Sequence, residues 1–174
     1  MRTAGREGAR ARVGLSTVDY LTLFLIGLVV VLVSLPRLRR FALRENELDA
    51  IALLSSLGQD LDASALGLRE GGLGGLLAAN PRHESRFEDL ELLSGGRLRR
   101  HGYLFDAQQL ETGEWVLRGW PWEHGRTGLG SFVYLPGAGL YGNANEDAAS
   151  DGPTRPPRAE PARLGKGDWP AMRP

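Results

Sequence analysis

The sequence of 174 residues contains no cysteine. Disulfide bonds and thiolate metal sites are therefore excluded, but the compartment is not fixed, because an exported domain can fold without bridges. An excess of positive charge is also missing, since 21 basic residues balance 21 acidic ones. Nothing therefore indicates nucleic-acid binding, which needs a concentrated basic surface. The length allows a membrane helix and one small domain, but not two sizeable cores.

Signatures of enzymes are missing as well. The chain has no Gly-x-Ser-x-Gly, no His-Glu-x-x-His and no phosphate-binding Gly-x-x-x-x-Gly-Lys motif. Gly137–Gly142 fits Gly-x-Gly-x-x-Gly, but dinucleotide binding requires a helix directly afterwards, and turn-forming residues follow. His83, His101 and His124 are scattered, which is typical of surface or sheet-edge histidines rather than ligands or bases. We therefore expect no enzymatic activity.

An apolar run from Gly14 to Pro36 is the most informative segment that is present. It contains one carboxylate, Asp19, near its start. A charged side chain at the centre of a bilayer costs roughly 2.5–3.5 kcal/mol, so an acid in such a segment usually has a partner charge. A secretory signal would end at a small-residue cleavage site, whereas this run leads into an arginine-rich stretch at residues 37–40.

The length of the run sets where a membrane span begins. Tyr20–Leu35 would extend only about 24 Å as a helix, which is short for a hydrocarbon core of about 30 Å. A span that starts at Leu15 fits better. Arginines flank the run on both sides, so charge does not indicate the orientation. They are Arg2, Arg6, Arg10 and Arg12 before it, and Arg37, Arg39, Arg40 and Arg44 after it.

These residues resemble the N-terminus of a type IV prepilin or a type II secretion pseudopilin. In that family a short basic leader ends in glycine, and the fifth residue after the cleavage point is acidic, usually glutamate. By this resemblance the leader would be residues 1–14, the mature chain would begin at Leu15 and its fifth residue would be Asp19. Pro36 falls where many pilins have a proline. The aspartate, and Leu-Ser-Thr-Val in place of the commoner Phe-Thr-Leu-Ile, depart from the usual pattern.

The resemblance implies a function in a filament of a type IV pilus or type II secretion system. A prepilin peptidase would cleave after Gly14, and the amine of Leu15 would be a site of methylation. Asp19 would neutralise the amine of a neighbouring subunit while an inner-membrane assembly platform builds the filament. Other pilin subunits and membrane lipid are then partners, and the soluble domain lies in the periplasm or on the cell surface. The alternative is an uncleaved single-pass anchor that displays a small binding domain.

Removal of the leader would take away four of the 21 basic residues and one of the 21 acidic residues, for a mature net charge of −3. Residues 15–36 then form the transmembrane part of a long helix, and residues 37–58 its amphipathic continuation. Gly58 offers a stop. The apolar positions recur at multiples of about 3.5 residues. They are Phe41, Leu48, Ile51, Leu54 and Leu61.

Residues 59–100 read as a loop-rich helical connection. Asp62–Glu70 has the composition of a short helix, and Gly71–Gly75 would interrupt it. Glu84–Leu93 predicts another helix, which ends at Gly95 and Gly96.

From His101 the apolar period changes to two, which predicts an antiparallel sheet over residues 101–142. Tyr103–Ala107 and Trp115–Gly119 alternate on either side of a turn, and Ser131–Leu135 forms a third run. One face of this sheet is expected to cover the amphipathic helix. The fold class is therefore α+β and pilin-like, with a long N-terminal helix packed on a small antiparallel sheet.

Residues 143–174 combine an Asn/Asp loop with a proline-rich tail. Asn143, Asn145, Asp147 and Asp151 place oxygen side chains at close intervals in a loop after the last strand. A turning loop of this kind can converge on Ca²⁺, which takes about six to eight oxygen ligands. Major pseudopilins hold calcium in a C-terminal loop, so the resemblance implies a calcium site. Asn/Asp clusters also make turns without any metal. The prolines predict an extended segment that lies over the domain, where Trp169 would pin it to the sheet.

Overall fold

The computed structural model describes residues 16–63, 66–79, 89–158, 160, 163–167 and 169–172. It divides the chain into two units, Met1–Arg39 and Arg40–Pro174. The second unit contains the sheet and the hydrophobic core.

The first helix, α1, comprises Thr17–Ala63 and contains Pro36 in its interior. The predicted stop at Gly58 is wrong, because the helix continues for five residues beyond it. A Cβ atom at Gly58 would lie 2.5 Å from three ring carbons of Tyr134. The glycine therefore allows the helix and the tyrosine ring to approach closely, and this is a tertiary role rather than a helix-ending one.

The buried face of α1 differs from the predicted one. Phe41 and Leu48 are 64% and 50% exposed. At 100° per residue, Leu57 lies about 180° around the helix from Leu48, and it is fully buried. Of the predicted positions, only Ile51, Leu54 and Leu61 contribute to the core. The face that packs on the sheet consists of Ala50, Leu53, Leu54, Leu57 and Leu61.

The second helix, α2, comprises Leu66–Ala79. It includes the glycines that were expected to interrupt it, although Gly72 has a φ of +62°. Leu68, Leu73 and Leu76 are buried in the core, and their burial stabilises a helix of poor intrinsic propensity.

The helix predicted over Glu84–Leu93 is wrong at its end, because Glu91–Leu93 is a strand. Residues 84–88 of that prediction lie outside the described residues. Gly95 and Gly96 both have positive φ values, in the turn that leads to the next strand. Their conformational freedom serves a hairpin rather than a helix terminus.

The sheet is an antiparallel meander of six strands in the order β1-β2-β3-β4-β5-β6. The predicted antiparallel sheet is confirmed, and it extends beyond both predicted ends. The strands are β1 Glu91–Leu93, β2 Arg97–Arg100, β3 Tyr103–Gln109, β4 Trp115–Pro121, β5 Ser131–Leu135 and β6 Gly139–Asn143.

One face of the sheet packs on α1 and α2. Tyr103, Phe105, Leu117 and Phe132 are at most 5% exposed and belong to the same core cluster as the helix leucines. Tyr103 and Phe132 stack with ring centroids 5.9 Å apart. The layout is therefore α+β, with the helices covering one face of the sheet.

The chain after β6 covers the other face. Val116 and Val133 are fully buried there against Leu164 and Trp169. Side chains of the sheet also donate to backbone carbonyls of this segment: Trp120 Nε1 to Gly152 at 2.7 Å, Arg118 Nη1 to Pro157 at 3.0 Å, and Arg97 Nη1 to Pro153 at 2.7 Å. The segment thus lies on the sheet, and Trp169 packs where the sequence placed it.

The edge strand β6 has a further partner. Tyr141 pairs with Ala171 in an antiparallel bridge, and the amide of Met172 donates to the carbonyl of Leu140 at 2.8 Å. Gly137–Gly142, which matched the dinucleotide pattern, forms the β5–β6 turn and most of β6. A strand follows its first glycines where a dinucleotide site needs a helix.

Candidate assembly surface

The described part of the first unit is one exposed apolar helix. Its large apolar side chains are between 43% and 70% exposed, with Leu28 and Val18 at the two limits. Its most apolar window of 18 residues has a mean hydropathy of 2.5. One helix near the N-terminus is therefore long and apolar enough to cross a membrane once.

Asp19 lies in the first turn of this helix and forms a reciprocal cap with Ser16. The amide of Ser16 donates to Asp19 Oδ2 at 2.8 Å, and the amide of Asp19 donates to Ser16 Oγ at 3.3 Å. This arrangement is a capping box, which satisfies two amides that the helix leaves without partners. Within the described part of the chain, no cation pairs with the carboxylate of Asp19.

The other polar groups of the segment are satisfied inside the helix. Thr22 Oγ1 donates to the carbonyl of Val18 at 2.8 Å, and Ser34 Oγ donates to that of Val30 at 2.7 Å. Such internal bonds lower the cost of placing hydroxyl groups in hydrocarbon. Pro36, predicted to matter in assembly, lies in the interior of α1. Gly14 and Leu15, the predicted cleavage and methylation residues, lie outside the described residues.

The predicted calcium loop is closed by its own hydrogen bonds. Asn145 is 2% exposed and has a φ of +53°. Its Nδ2 donates to the carbonyls of Leu129 at 3.1 Å and Ser150 at 2.8 Å, and its Oδ1 accepts from the amide of Ser150 at 2.9 Å. Asn143 Oδ1 in turn accepts from the amide of Asn145.

The two aspartates of the predicted site have separate partners. Asp147 Oδ1 accepts from the amide of Ala149 at 3.1 Å. Asp151 accepts from the amide of His124 at 2.7 Å and forms an ion pair with Arg155. Among the described residues, no group of three or more His, Asp or Glu side chains is placed to hold a metal ion. Calcium binding by Asn143, Asn145, Asp147 and Asp151 stays a prediction, and the geometry supports a turn-forming role.

A groove of about 640 Å³ opens beside β6 in the second unit, and we call it the β6 groove. Its size falls in the range of pockets that hold small ligands or single anchoring side chains. Five large apolar residues line it: Ile51, Leu129, Phe132, Pro170 and Met172. Two carboxylates, Glu47 and Glu146, also line it together with His124 and Asn143, and no arginine or lysine among the described residues does.

Glu47 positions one wall of this groove. Its Oε1 accepts from the amides of Leu129 at 3.0 Å and Gly130 at 2.9 Å. Both bonds use one oxygen, so the second oxygen of the carboxylate can still accept from a partner. On the neighbouring helix position, Asn46 Nδ2 donates to the carbonyl of Thr127 at 2.9 Å. These contacts fix the loop before β5 to α1.

No protein-family profile, curated protein or solved structure matches this chain. The sequence pattern did not identify Glu47, because a single glutamate on an amphipathic helix carries no signal of a distant partner. It also missed the bidentate pair of Arg118 and Asp106 on the outer face of the sheet, at 2.7 and 2.6 Å. Opposite charges on the two predicted strands were the available signal, and the register of β3 and β4 places them directly opposite each other.

Proposed function

We propose that this chain is a pilin-like or pseudopilin-like subunit of a type IV pilus or type II secretion filament. The observation that carries the proposal is Asp19, the fifth residue after Gly14, at the start of an apolar helix whose large side chains are exposed. The helix and an antiparallel sheet that packs on its later turns support the proposal. A prepilin peptidase would remove residues 1–14, and the subunit would enter the filament from the inner membrane.

The role proposed for Asp19 is to pair with the amine of Leu15 in a neighbouring subunit. Four residues separate the two positions, which is about one helical turn, so both groups lie near the same end of the helix. In a bundle of apolar helices an unpaired charge is costly, whereas a paired one sets the register between helices. The capping box uses hydrogen-bonding capacity of the carboxylate but leaves its negative charge.

The processing step provides the test of the proposed function. Gly14 presents no side chain at the bond to Leu15, so Gly14→Val should block cleavage and leave a precursor heavier by the 14-residue leader. N-terminal sequencing of wild-type protein from membranes should read Leu-Ser-Thr-Val-Asp. A wild-type protein that still begins at Met1 would contradict the proposal.

A second function is favoured by the β6 groove. A cavity of about 640 Å³ with an apolar lining suits a bound ligand or peptide, as expected of an uncleaved anchor with a small binding domain. The two functions differ in the first residue of the mature protein, so the same sequencing experiment separates them.

A further inference from the structure

Two carboxylates among the residues that line the β6 groove give it negative charge. Glu146 is exposed and has no hydrogen-bond or ion-pair partner within the described residues, and Glu47 has one oxygen uncommitted. The rest of the lining is mainly apolar, with His124 and Asn143 as its other polar side chains. An occupant that matches this surface carries positive charge next to an exposed apolar side chain.

The chain itself contains such a segment on α1. Arg40 and Arg44 are exposed and, within the described residues, neither pairs with a carboxylate. Phe41 lies between them and is 64% exposed. Arg40 and Arg44 are four residues apart, so they project from one side of the helix. We call residues 40–44 the basic segment.

The spacing along α1 allows two copies to meet through these surfaces. Arg40 precedes the groove residue Glu47 by seven positions along α1, and Arg44 precedes the groove residue Ile51 by the same number. Seven positions span about 10 Å of helix. Neighbouring copies in the proposed filament share one direction, so residues 40–51 of their α1 helices run parallel. A displacement of one copy by about 10 Å along the helix therefore brings its basic segment to the height of its neighbour's groove.

We propose that the β6 groove binds the basic segment of a second copy of this chain, with Phe41 in the apolar lining and Arg44 paired with Glu146. This contact rests on the proposed filament function. It would join the parts of neighbouring subunits that lie outside the membrane. The groove and the basic segment are different surfaces of the same chain. A contact between them is heterologous, and it adds copies in an open series unless the rotation closes a ring.

Disulfide crosslinking tests this contact, because the full-length chain has no cysteine of its own. Arg40→Cys combined with Ala144→Cys leaves Phe41, Arg44, Glu47 and Glu146 intact. In membranes we expect oxidation to give a ladder of dimers, trimers and higher multimers. The matched control combines Arg40→Cys with Glu111→Cys, in the exposed β3–β4 turn, and should remain monomeric.

Charge reversal in the Arg40→Cys/Ala144→Cys variant tests the electrostatic part of the contact. Glu146→Arg should reduce the ladder to the level of the control, and adding Arg44→Glu should restore it. Circular dichroism of each variant checks the fold. If Ala144→Cys disturbs the loop, Leu129→Cys replaces it on the same groove wall. A ladder that does not respond to Glu146→Arg would overturn the charge pairing.

Formaldehyde crosslinking of the same membranes separates this inference from the proposed function. If formaldehyde gives multimers but the Arg40→Cys/Ala144→Cys variant gives no disulfide product, the groove contact is overturned and the filament proposal stands. No multimers with either reagent overturn both. A disulfide product that stops at dimers, or that contains only another membrane protein, overturns the open series of copies.

Discussion

At the residue scale, Asp19 combines a local hydrogen-bonding role with a charge in an apolar helix. Its capping box with Ser16 accounts for the position of the side chain. The capping box does not require the charge, because an amide oxygen can accept the same hydrogen bond.

Asp19→Asn therefore separates the two roles. We expect this variant to be cleaved like the wild type but to enter filaments poorly, because it keeps the cap and loses the charge. Asp19→Ala should also lose about 0.5–2 kcal/mol at the helix start. Shearing and pelleting of surface fibres, or crosslinking in the envelope, measures incorporation. Normal incorporation of the Asn variant would exclude charge pairing.

Tyr134 links α1 to the sheet through a buried phenol. It is 8% exposed, and its hydroxyl donates to Asp62 Oδ2 at 2.7 Å. Burial, and then the hydrogen bond and negative charge of Asp62, raise the pKa of Tyr134 from 10.0 to about 12. The unfolded chain therefore loses this proton at a lower pH than the folded one.

The free energy of unfolding should consequently fall between pH 10 and pH 12, while full stability from this group remains below pH 10. The contribution to the slope is at most about 1.4 kcal/mol per pH unit. Tyr134→Phe should make the slope shallower in that window, and Asp62→Asn should do so in part. Denaturant titrations at a series of pH values measure it, and an identical slope in Tyr134→Phe would refute the assignment.

At the scale of elements, the contact between α1 and β5 depends on Gly58. Alanine is usually favoured over glycine in a helix by about 1 kcal/mol. We expect Gly58→Ala to lower stability by about 1–3 kcal/mol nevertheless, because its Cβ would overlap the Tyr134 ring. Gln59→Ala, at the exposed neighbouring position, is the control and should change stability by less than about 0.5 kcal/mol. Thermal unfolding measures both, and a more stable Gly58→Ala would show that the ring moves freely.

The strands β3 and β4 are joined on their outer face by Asp106 and Arg118, whose side chains are 10% and 11% exposed. Arg118→Met should cost about 3–5 kcal/mol, because it leaves a buried carboxylate without its bidentate partner. Arg97 also approaches this carboxylate, but its Nε lies 3.9 Å from Asp106 Oδ2, which is beyond hydrogen-bond distance. The double variant Asp106→Leu/Arg118→Met should be clearly more stable than Arg118→Met alone. Denaturation midpoints that show the opposite order would contradict this account.

The elements differ in how well the sequence predicts them. Strands β3 and β4 were predictable from their period of two, and β5 from a short run that is rich in aromatic and β-branched residues. Strand β2 was missed because Arg97–Arg100 contains three arginines, and β6 because Gly139–Asn143 is rich in turn formers. The stop at Gly58 was wrong because only the folded structure places Tyr134 against it.

The same limit applies to the candidate site. Asp19 could be identified because its position relative to Gly14 is local in the sequence. The β6 groove could not, because Glu47, Leu129 and Met172 come from distant parts of the chain and meet only in the fold.

At the scale of the whole molecule, strand order determines where a new strand can be added. β1 and β6 are the two edges of the sheet. β1 has only three residues, and short edge strands offer little template for pairing. β6 has five residues, and Pro170–Met172 lies along it.

A chain that ends at Gly167 should therefore aggregate with added β-structure, because it exposes the amides and carbonyls of β6 and loses Trp169 from the outer face. Light scattering and thioflavin fluorescence measure this, with Lys166→Ala as an exposed control. A truncated chain that stays monomeric would show that β6 needs no cover.

The segment that covers β6 follows two exposed glycines, Gly165 and Gly167, that have positive φ values. Exposed glycine-containing turns are preferred sites of proteolytic nicking. One cut between Leu164 and Trp169 would release the cover without touching the core residues of α1 or the sheet. The domain would then pair through β6 with strands of other chains. Protease sensitivity at this turn would therefore control whether this edge of the sheet stays covered.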